Sequence, residues 1–216
     1  MKSTDDVVEF LRSTARDADA GHWPRAVGVF SRAYLRVTLE VIARIAARSF
    51  EDPSWLAEFD VRFARLYEKA LLDPSTRPRC WSIALAAPTE DTRLLGPLLL
   101  GISAHMRYDL CASLLGGFVE PGAREARRRD FLAVNRVMSQ SIDPIQEVLE
   151  TRYGRWLRAA DLLGGGLDEQ LTFTGFRGWR DRAWTDAMNI LDGRLTLDDV
   201  DRRVTRTSRV IALLPA

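Results

Sequence analysis

The sequence is poor in the residues that most often carry chemistry or scaffolding: it has two cysteines, two histidines and, among its basic residues, only Lys2 and Lys69 as lysine. Two cysteines cannot build the disulfide framework of a small secreted fold, and Cys111 lies in an apolar run where a thiol packs as a small hydrophobe. A reduced, cytoplasmic protein is therefore expected. His22 and His105 are too few for a multinuclear zinc site, and paired Glu-x-x-His motifs, which a di-iron bundle needs, are missing. Excess charge of one sign is missing too: Lys+Arg 31 against Asp+Glu 30 leaves +1. No field exists to gather nucleic acid or anionic lipid, so neither is expected as a partner. The N-terminus carries Asp5, Asp6 and Glu9 where an export signal carries basic residues and then an apolar stretch. The longest apolar stretch, Leu94 to Phe118, holds His105, Arg107 and Asp109 near its middle, each costly in lipid, and so reads as a buried helix rather than a membrane span.

Strand-like alternation is also missing, whereas apolar residues recur at helical spacing throughout. With 216 residues, 46% of them hydrophobic, one core can be buried without staples. The expectation is an all-α single domain over residues 1–216, a bundle of about seven to eight helices. Thr4, Asp5 and Asp6 suit the start of a helix to about Ala18, and Gly21-His22-Trp23-Pro24 breaks the chain before a second helix from Arg25 to Arg48. Asp52-Pro53 opens a third that Asp73-Pro74 ends at Leu72. Residues 73–93, with three prolines, read as a long irregular connection anchored by Trp81. A fourth helix spans Leu94 to Leu115, closed by Gly116-Gly117 and Pro121-Gly122. A fifth begins near Ala123, and Asp143-Pro144 opens a sixth that runs to Leu157 or Leu163. Gly164-Gly165-Gly166 reads as a hinge before helices over Phe176 to Leu191 and Leu197 to Leu213.

On the fourth helix, Leu98, Ile102, His105, Asp109, Ala112 and Gly116 recur at spacings of three and four, which marks a stripe facing the core. His105 and Asp109 thus occupy positions that packing alone would fill with Leu or Ile, one turn apart and within about 6 Å. A carboxylate beside an imidazole fixes its tautomer and supplies a general acid or base, whereas the structural alternative is a buried pair that holds helices in register. Asp60 and Tyr67 lie two turns apart on the inward face of the third helix with Phe63. Tyr34 and Thr38 lie on the inward face of the second. If these helices are neighbours, the groups converge in one apolar pocket, with His105, Asp109, Asp60 and Tyr67 as catalytic residues. Tyr34, Thr38, Phe63 and Trp81 are the expected substrate-binding residues. For Asp60 the alternative is a position at the wet edge, paired with Arg62 or Arg65.

The runs Phe30 to Thr38, Phe50 to Ala70, Leu100 to Leu110 and Asp130 to Asn135 resemble an uncharacterised bacterial and fungal family of all-helical proteins. Its pattern reads F-x3-Y-x3-T, then L-D-x-x-F-A-x-x-Y, then G-x-N-A-H-I-x-Y-D-L, then D-F-x-x-V-N. The four blocks occur in order. By this resemblance Tyr34, Thr38, Asp60, Tyr67, His105, Asp109, Asp130 and Asn135 are the matching positions, and Asn135 joins the substrate-binding set. Ser103 stands where the pattern has Asn, and Met106 where it has Ile. The resemblance implies an all-helical fold and a site, and no particular reaction.

Other motifs point elsewhere. Asp198-Asp199-Val200-Asp201 lacks the spacing of a magnesium-diphosphate box and suits the first turn of a helix, and the triple glycine lacks the lysine of a phosphate loop. Arg124, Arg127, Arg128 and Arg129 suit a solvated face. The expected function is a cofactor-independent enzyme acting on a largely apolar small molecule by cyclisation, isomerisation, elimination or hydrolysis. The alternatives are a non-catalytic helical module binding a ligand or partner, and a single-metal hydrolase built on His105-x-x-x-Asp109. A homodimer is compatible with the sequence. With so few soft ligands, the purified protein is expected to carry less than stoichiometric metal and to keep its helical circular dichroism in chelator. Elemental analysis finding about one zinc or iron per chain overturns that expectation.

Overall fold

The computed structural model describes residues 1–86, 95–116, 123–153 and 169–212. The Gly164-Gly165-Gly166 hinge, Gly117, Pro121-Gly122 and the expected helix ends at Leu157, Leu163 and Leu213 lie outside the described residues. Every regular element among the described residues is helical, as expected, and no described helix is long and apolar enough to cross a membrane.

Helix α1 (Thr4–Asp19) is capped by Ser3, one residue earlier than expected: the Ser3 hydroxyl accepts from the Asp6 N–H and the Asp6 carboxylate accepts from the Ser3 N–H. Pro24 fixes the entry to α2 (Arg25–Ala46), and α3 (Pro53–Leu72) starts where Asp52 accepts from the Trp55 N–H and Pro53 takes the first turn. The Asp52 turn is itself held by Asp130, whose two carboxylate oxygens accept from the N–H groups of Glu51 (2.8 Å) and Asp52 (2.7 Å).

The expected irregular connection instead contains a helix, α4 (Arg79–Ala86). Its N-terminal donors are satisfied from far along the chain: the Asp201 carboxylate accepts from the N–H groups of Arg79 (3.1 Å) and Cys80 (3.0 Å). A cap that distant leaves no local signature, and the flanking prolines dominate a local reading.

The expected fourth helix is a helix with a π turn inside it: α5 (Leu95–Ala104), a π turn over His105–Asp109 in which the Leu110 N–H bonds to the His105 carbonyl, and α6 (Leu110–Leu115). The extra residue in that turn rotates everything after it. Of the expected stripe Leu98, His105 and Asp109 are buried and Ile102 is half-buried; beyond the turn Leu110, Cys111, Ser113 and Leu114 are buried, while Ala112 is half-buried and Gly116 exposed. This composite helix is the centre of the molecule and is flanked by α2, α3 and α4, as well as by α8 (Glu169–Leu191) and α9 (Leu197–Ile211).

Helix α7 (Arg124–Tyr153) passes through Asp143-Pro144, where a new helix was expected to open. A proline removes one helical hydrogen bond, and with helix formers on both sides that loss does not end the helix here. Helix α8 likewise begins before Phe176 and passes through Gly175 and Gly178. Helix α9 opens with a capping box between Thr196 and Asp199, with Asp198 and Asp199 in its first turn as expected. The arginine run on α7 is engaged within the molecule. Arg127 approaches Asp52 (3.5 Å), Arg128 covers Trp184 and approaches Asp181 (3.4 Å), and Arg129 grips Glu51 (2.6 Å).

Asp201 makes the sharpest test of this architecture, because one buried carboxylate ties α9 to the start of α4. Asp201→Ala is expected to lower stability by about 1–3 kcal/mol and to speed the labelling of buried Cys80 by a thiol reagent. Unchanged melting and labelling show that α4 is held by something else.

Candidate functional site

The side chain of His105 is the centre of an aromatic box. Phe63 of α3 stacks on its ring at 3.7 Å between centroids and 13° between planes, while Tyr34 and Phe30 of α2 approach at 4.7 and 5.4 Å. Tyr67 and Trp81 complete the enclosure at 5.8 and 6.3 Å. Helical spacing does this work: Phe30 and Tyr34 are one turn apart on α2, and Phe63 and Tyr67 one turn apart on α3.

Within the box, His105 Nδ1 lies 2.8 Å from Asp109 Oδ2, the contact that one turn of helix predicts. The same oxygen accepts from Trp81 Nε1–H at 2.9 Å, so α4 and the π turn meet on one atom. The two residues are 2% and 1% exposed. Burial pushes the imidazole of His105 well below its ordinary value and the carboxyl of Asp109 well above its own, the latter partly opposed by the Trp81 hydrogen bond. Burial therefore holds the imidazole neutral at pH 7, with Nδ1 engaged by Asp109 and Nε2 as its remaining ring nitrogen.

Among the described residues that Nε2 has no hydrogen-bond partner, and it is not alone. The buried atoms Tyr34 Oη, Thr38 Oγ1, Asp60 Oδ2 and Ser103 Oγ likewise have no partner among the described residues. An unpaired buried polar atom costs about 1–3 kcal/mol, so a cluster of them opposes stability. Asp60 is 8% exposed, and the arginines that offered it an exposed alternative are engaged elsewhere. Arg62 lies against Glu58 (3.5 Å) and Arg65 donates to the Met1 carbonyl (2.7 Å). Burial alone raises the Asp60 carboxyl from 3.8 to about 7. Tyr34 is held well above the usual phenol range by burial and then by the charges of Asp60 and Asp109, so it stays a donor. Tyr67 is partnered: its hydroxyl and that of Ser31 lie 2.9 Å apart, and burial raises it too.

Of the residues expected from the sequence, the structure brings His105, Asp109, Tyr34, Phe63, Tyr67 and Trp81 into one contact set, with Thr38 and Asp60 buried on the same two helices. Asn135 is engaged elsewhere. Its Oδ1 accepts from Arg180 Nε at 2.6 Å, while Arg180 Nη2 donates to the Phe131 carbonyl at 2.8 Å and the guanidinium lies 4.2 Å over the Phe131 ring. Arg180 is 3% exposed, and burial brings its guanidinium down to about 9. Asn135 thus clamps α7 to α8. Sequence reasoning missed Ser31, which shares the three-and-four spacing of Tyr34 and Thr38, and Arg180, which shares that of Ala183, Trp184 and Ala187. Those spacings were the available signal. The single-metal alternative finds no donor set: among the described residues no three His, Cys, Asp or Glu side chains gather as ligands.

Asp60 carries a pH signature. A carboxyl raised in the folded state keeps its proton where the unfolded chain has released it, so its contribution is full below about pH 4 and is lost as pH rises through about 7. His105 acts oppositely: an imidazole lowered by folding contributes above its ordinary 6.5 and loses that as pH falls. Subtraction separates the two. The stability of Asp60→Asn minus that of wild type is expected to climb by on the order of 4 kcal/mol between pH 4 and 7, as a rise from 3.8 to about 7 requires, and to be flat above. A level difference curve in urea titrations rejects the buried, unpaired carboxyl.

A family model described as a family of unknown function (DUF5995) matches residues 4–214. No curated protein and no solved structure gives a match.

Proposed function

The chain belongs to the family DUF5995, and for it we propose cofactor-independent acid–base catalysis on a small, largely apolar molecule, with His105 Nε2 as the proton-transferring atom. One observation carries this reading: Nδ1 is engaged by Asp109 while, among the described residues, Nε2 has no partner, and neither have the buried Tyr34 Oη, Thr38 Oγ1 and Asp60 Oδ2 of α2 and α3. Natural proteins accept unpaired buried polar groups chiefly where function uses them. In the reaction, Nε2 removes a proton from the bound molecule, and the imidazolium so formed is stabilised by Asp109 and returns the proton elsewhere on the same molecule. Tyr34 or the protonated Asp60 donates to the oxygen on which negative charge develops. The enclosure by aromatic rings favours isomerisation, cyclisation or elimination over hydrolysis, because proton return within one molecule needs no water.

A second reading keeps support from the burial itself. A non-catalytic helical module binding a ligand or partner also accounts for a sealed His105 and Asp109, with the pair fixing how α4 meets the π turn.

Deuterium incorporation separates the two. In D2O, a carbon acid is labelled whenever the proton taken up by Nε2 exchanges with solvent before the return, so a panel of apolar cyclic ketones and enones can be read by mass spectrometry without a known substrate. Wild type is expected to label at least one of them, and His105→Gln to slow labelling by about a hundredfold or more. Tyr34→Phe is expected to slow labelling while leaving the melting temperature unchanged or raised, since the lost hydroxyl has no partner among the described residues. Asp109→Asn is a poorer probe because it also releases Trp81. Absence of labelling by wild type, with His105→Gln melting several degrees lower, favours the module.

A further inference from the structure

A neutral imidazole carries one ring proton, and the nitrogen that holds it decides whether His105 meets a bound molecule as a base or as a donor. Nothing at Nε2 makes that choice, because among the described residues Nε2 has no partner. The choice falls to the other side of the ring, where Nδ1 lies 2.8 Å from Asp109 Oδ2. Two arrangements close that contact. In one, Nδ1–H donates to an acceptor oxygen and Nε2 keeps its lone pair. In the other, Oδ2 carries the carboxyl proton and donates it to Nδ1, which leaves the ring proton on Nε2.

Trp81 separates the two. An indole nitrogen donates and never accepts, so Nε1–H at 2.9 Å requires Oδ2 to be an acceptor. A carboxylate oxygen, or the carbonyl oxygen of a carboxylic acid, accepts two such bonds readily. The hydroxyl oxygen of an acid accepts poorly, because its lone pair is drawn into the carbonyl. The preference therefore holds whether or not Asp109 is ionised, since in the acid the proton goes to Oδ1. Packing keeps the indole aimed at this oxygen. Its side chain is 1% exposed, stacked on Tyr67 at 5.4 Å and 28° and set edge-on to Phe30 at 6.2 Å. It is also carried on α4, whose start Asp201 holds by the N–H groups of Arg79 and Cys80.

We infer that Trp81 is a positioning residue: by donating to Asp109 Oδ2 it keeps the ring proton of His105 on Nδ1 and the lone pair on Nε2. For its catalytic use this rests on the acid–base reading, in which the lone pair of Nε2 removes the proton. The placement of the ring proton is a property of the folded chain in either reading.

Nitrogen NMR of imidazole-labelled protein reads that placement directly, because protonated and unprotonated ring nitrogens resonate far apart. The only other histidine is the exposed His22, and in a His22→Gln background the spectrum belongs to His105 alone. A protonated Nδ1 and an unprotonated Nε2 are expected with Trp81 present. Two replacements remove the donor: Trp81→Phe, and the benzothiophene analogue of tryptophan at position 81, which puts sulfur in place of the N–H and keeps the shape of the ring. In both, the ring proton is expected to move to Nε2 and carbon-acid labelling in D2O to slow by about tenfold or more. A ring proton on Nε2 with Trp81 present overturns the inference. So does a proton that stays on Nδ1 in the donorless variants while only their melting temperature falls, as a purely structural role predicts. A proton that moves as expected, in a protein that labels no carbon acid or labels at an undiminished rate, upholds the inference while the reading of Nε2 as the base fails. Labelling at the full rate with the proton unmoved leaves the acid–base reading in place and removes Trp81 from it.

Discussion

A single oxygen organises the middle of this protein. Asp109 Oδ2 is hydrogen-bonded to the imidazole of His105 and accepts from the indole of Trp81, and so joins the π turn to a helix that has no strong reason of its own to form. Helix α4 is short and its flanks are proline-rich, and short helices are marginal without tertiary contacts. It is held at its start by the Asp201 carboxylate and along its buried face by Trp81. Both anchors are buried carboxyl groups, and each is tolerable because it is bonded: Asp109 to the His105 and Trp81 rings, and Asp201 to three N–H donors, one of them on the Arg79 guanidinium. With one of them gone, α4 would keep a hydrophobic face with no orientation.

The polar atoms around His105 divide into two classes with different physical consequences. Asp109 Oδ2, His105 Nδ1, Trp81 Nε1 and the Tyr67–Ser31 hydroxyl pair are satisfied and add rigidity, as connected polar networks do. His105 Nε2, Tyr34 Oη, Thr38 Oγ1 and Asp60 Oδ2 are not, and they subtract from stability. A pair kept only to set helix register needs the first class and gains nothing from the second. The coexistence of the two among the buried side chains of α2, α3 and the π turn is what favours a chemical use over an architectural one. Burial acts in the same direction on both acids, raising the Asp60 carboxyl to about 7 and holding the Tyr34 phenol well above its usual range, while it keeps the imidazole of His105 neutral.

Much of this site was legible in the sequence because helical periodicity is a local rule. Spacings of three, four and seven put Tyr34 with Thr38, Asp60 with Tyr67 and His105 with Asp109 on inward faces, and the resemblance added the same positions from motif order. The unread parts depend on non-local terms. Helix α4 was hidden because its cap comes from Asp201 in the last helix. The π turn was hidden because a regular period continues through His105 to Asp109 and only the burial after it, at Leu110 and Ser113, betrays the inserted residue. Asn135 carried the motif of a site residue, yet its partner is Arg180, a buried cation whose position on the face of Ala183, Trp184 and Ala187 an apolar-only reading skips.

The π turn also supplies a reason for the composition of its own five residues, His105-Met106-Arg107-Tyr108-Asp109. A π turn is a locally unfavourable geometry that persists where surrounding contacts over-determine it. Its two ends are held: His105 is stacked on Phe63, and Asp109 is bonded to Trp81. Met106 is buried between them, while the half-buried Arg107 lies over Trp179 of α8 at 5.8 Å. The turn is thereby clamped from α3, α4 and α8 at once. An ordinary helical turn in its place would rotate Leu110, Ser113 and Leu114 away from the interior faces they fill. The geometry that presents the His–Asp pair is therefore the same geometry that lets the second half of the central helix pack, and neither can relax without the other.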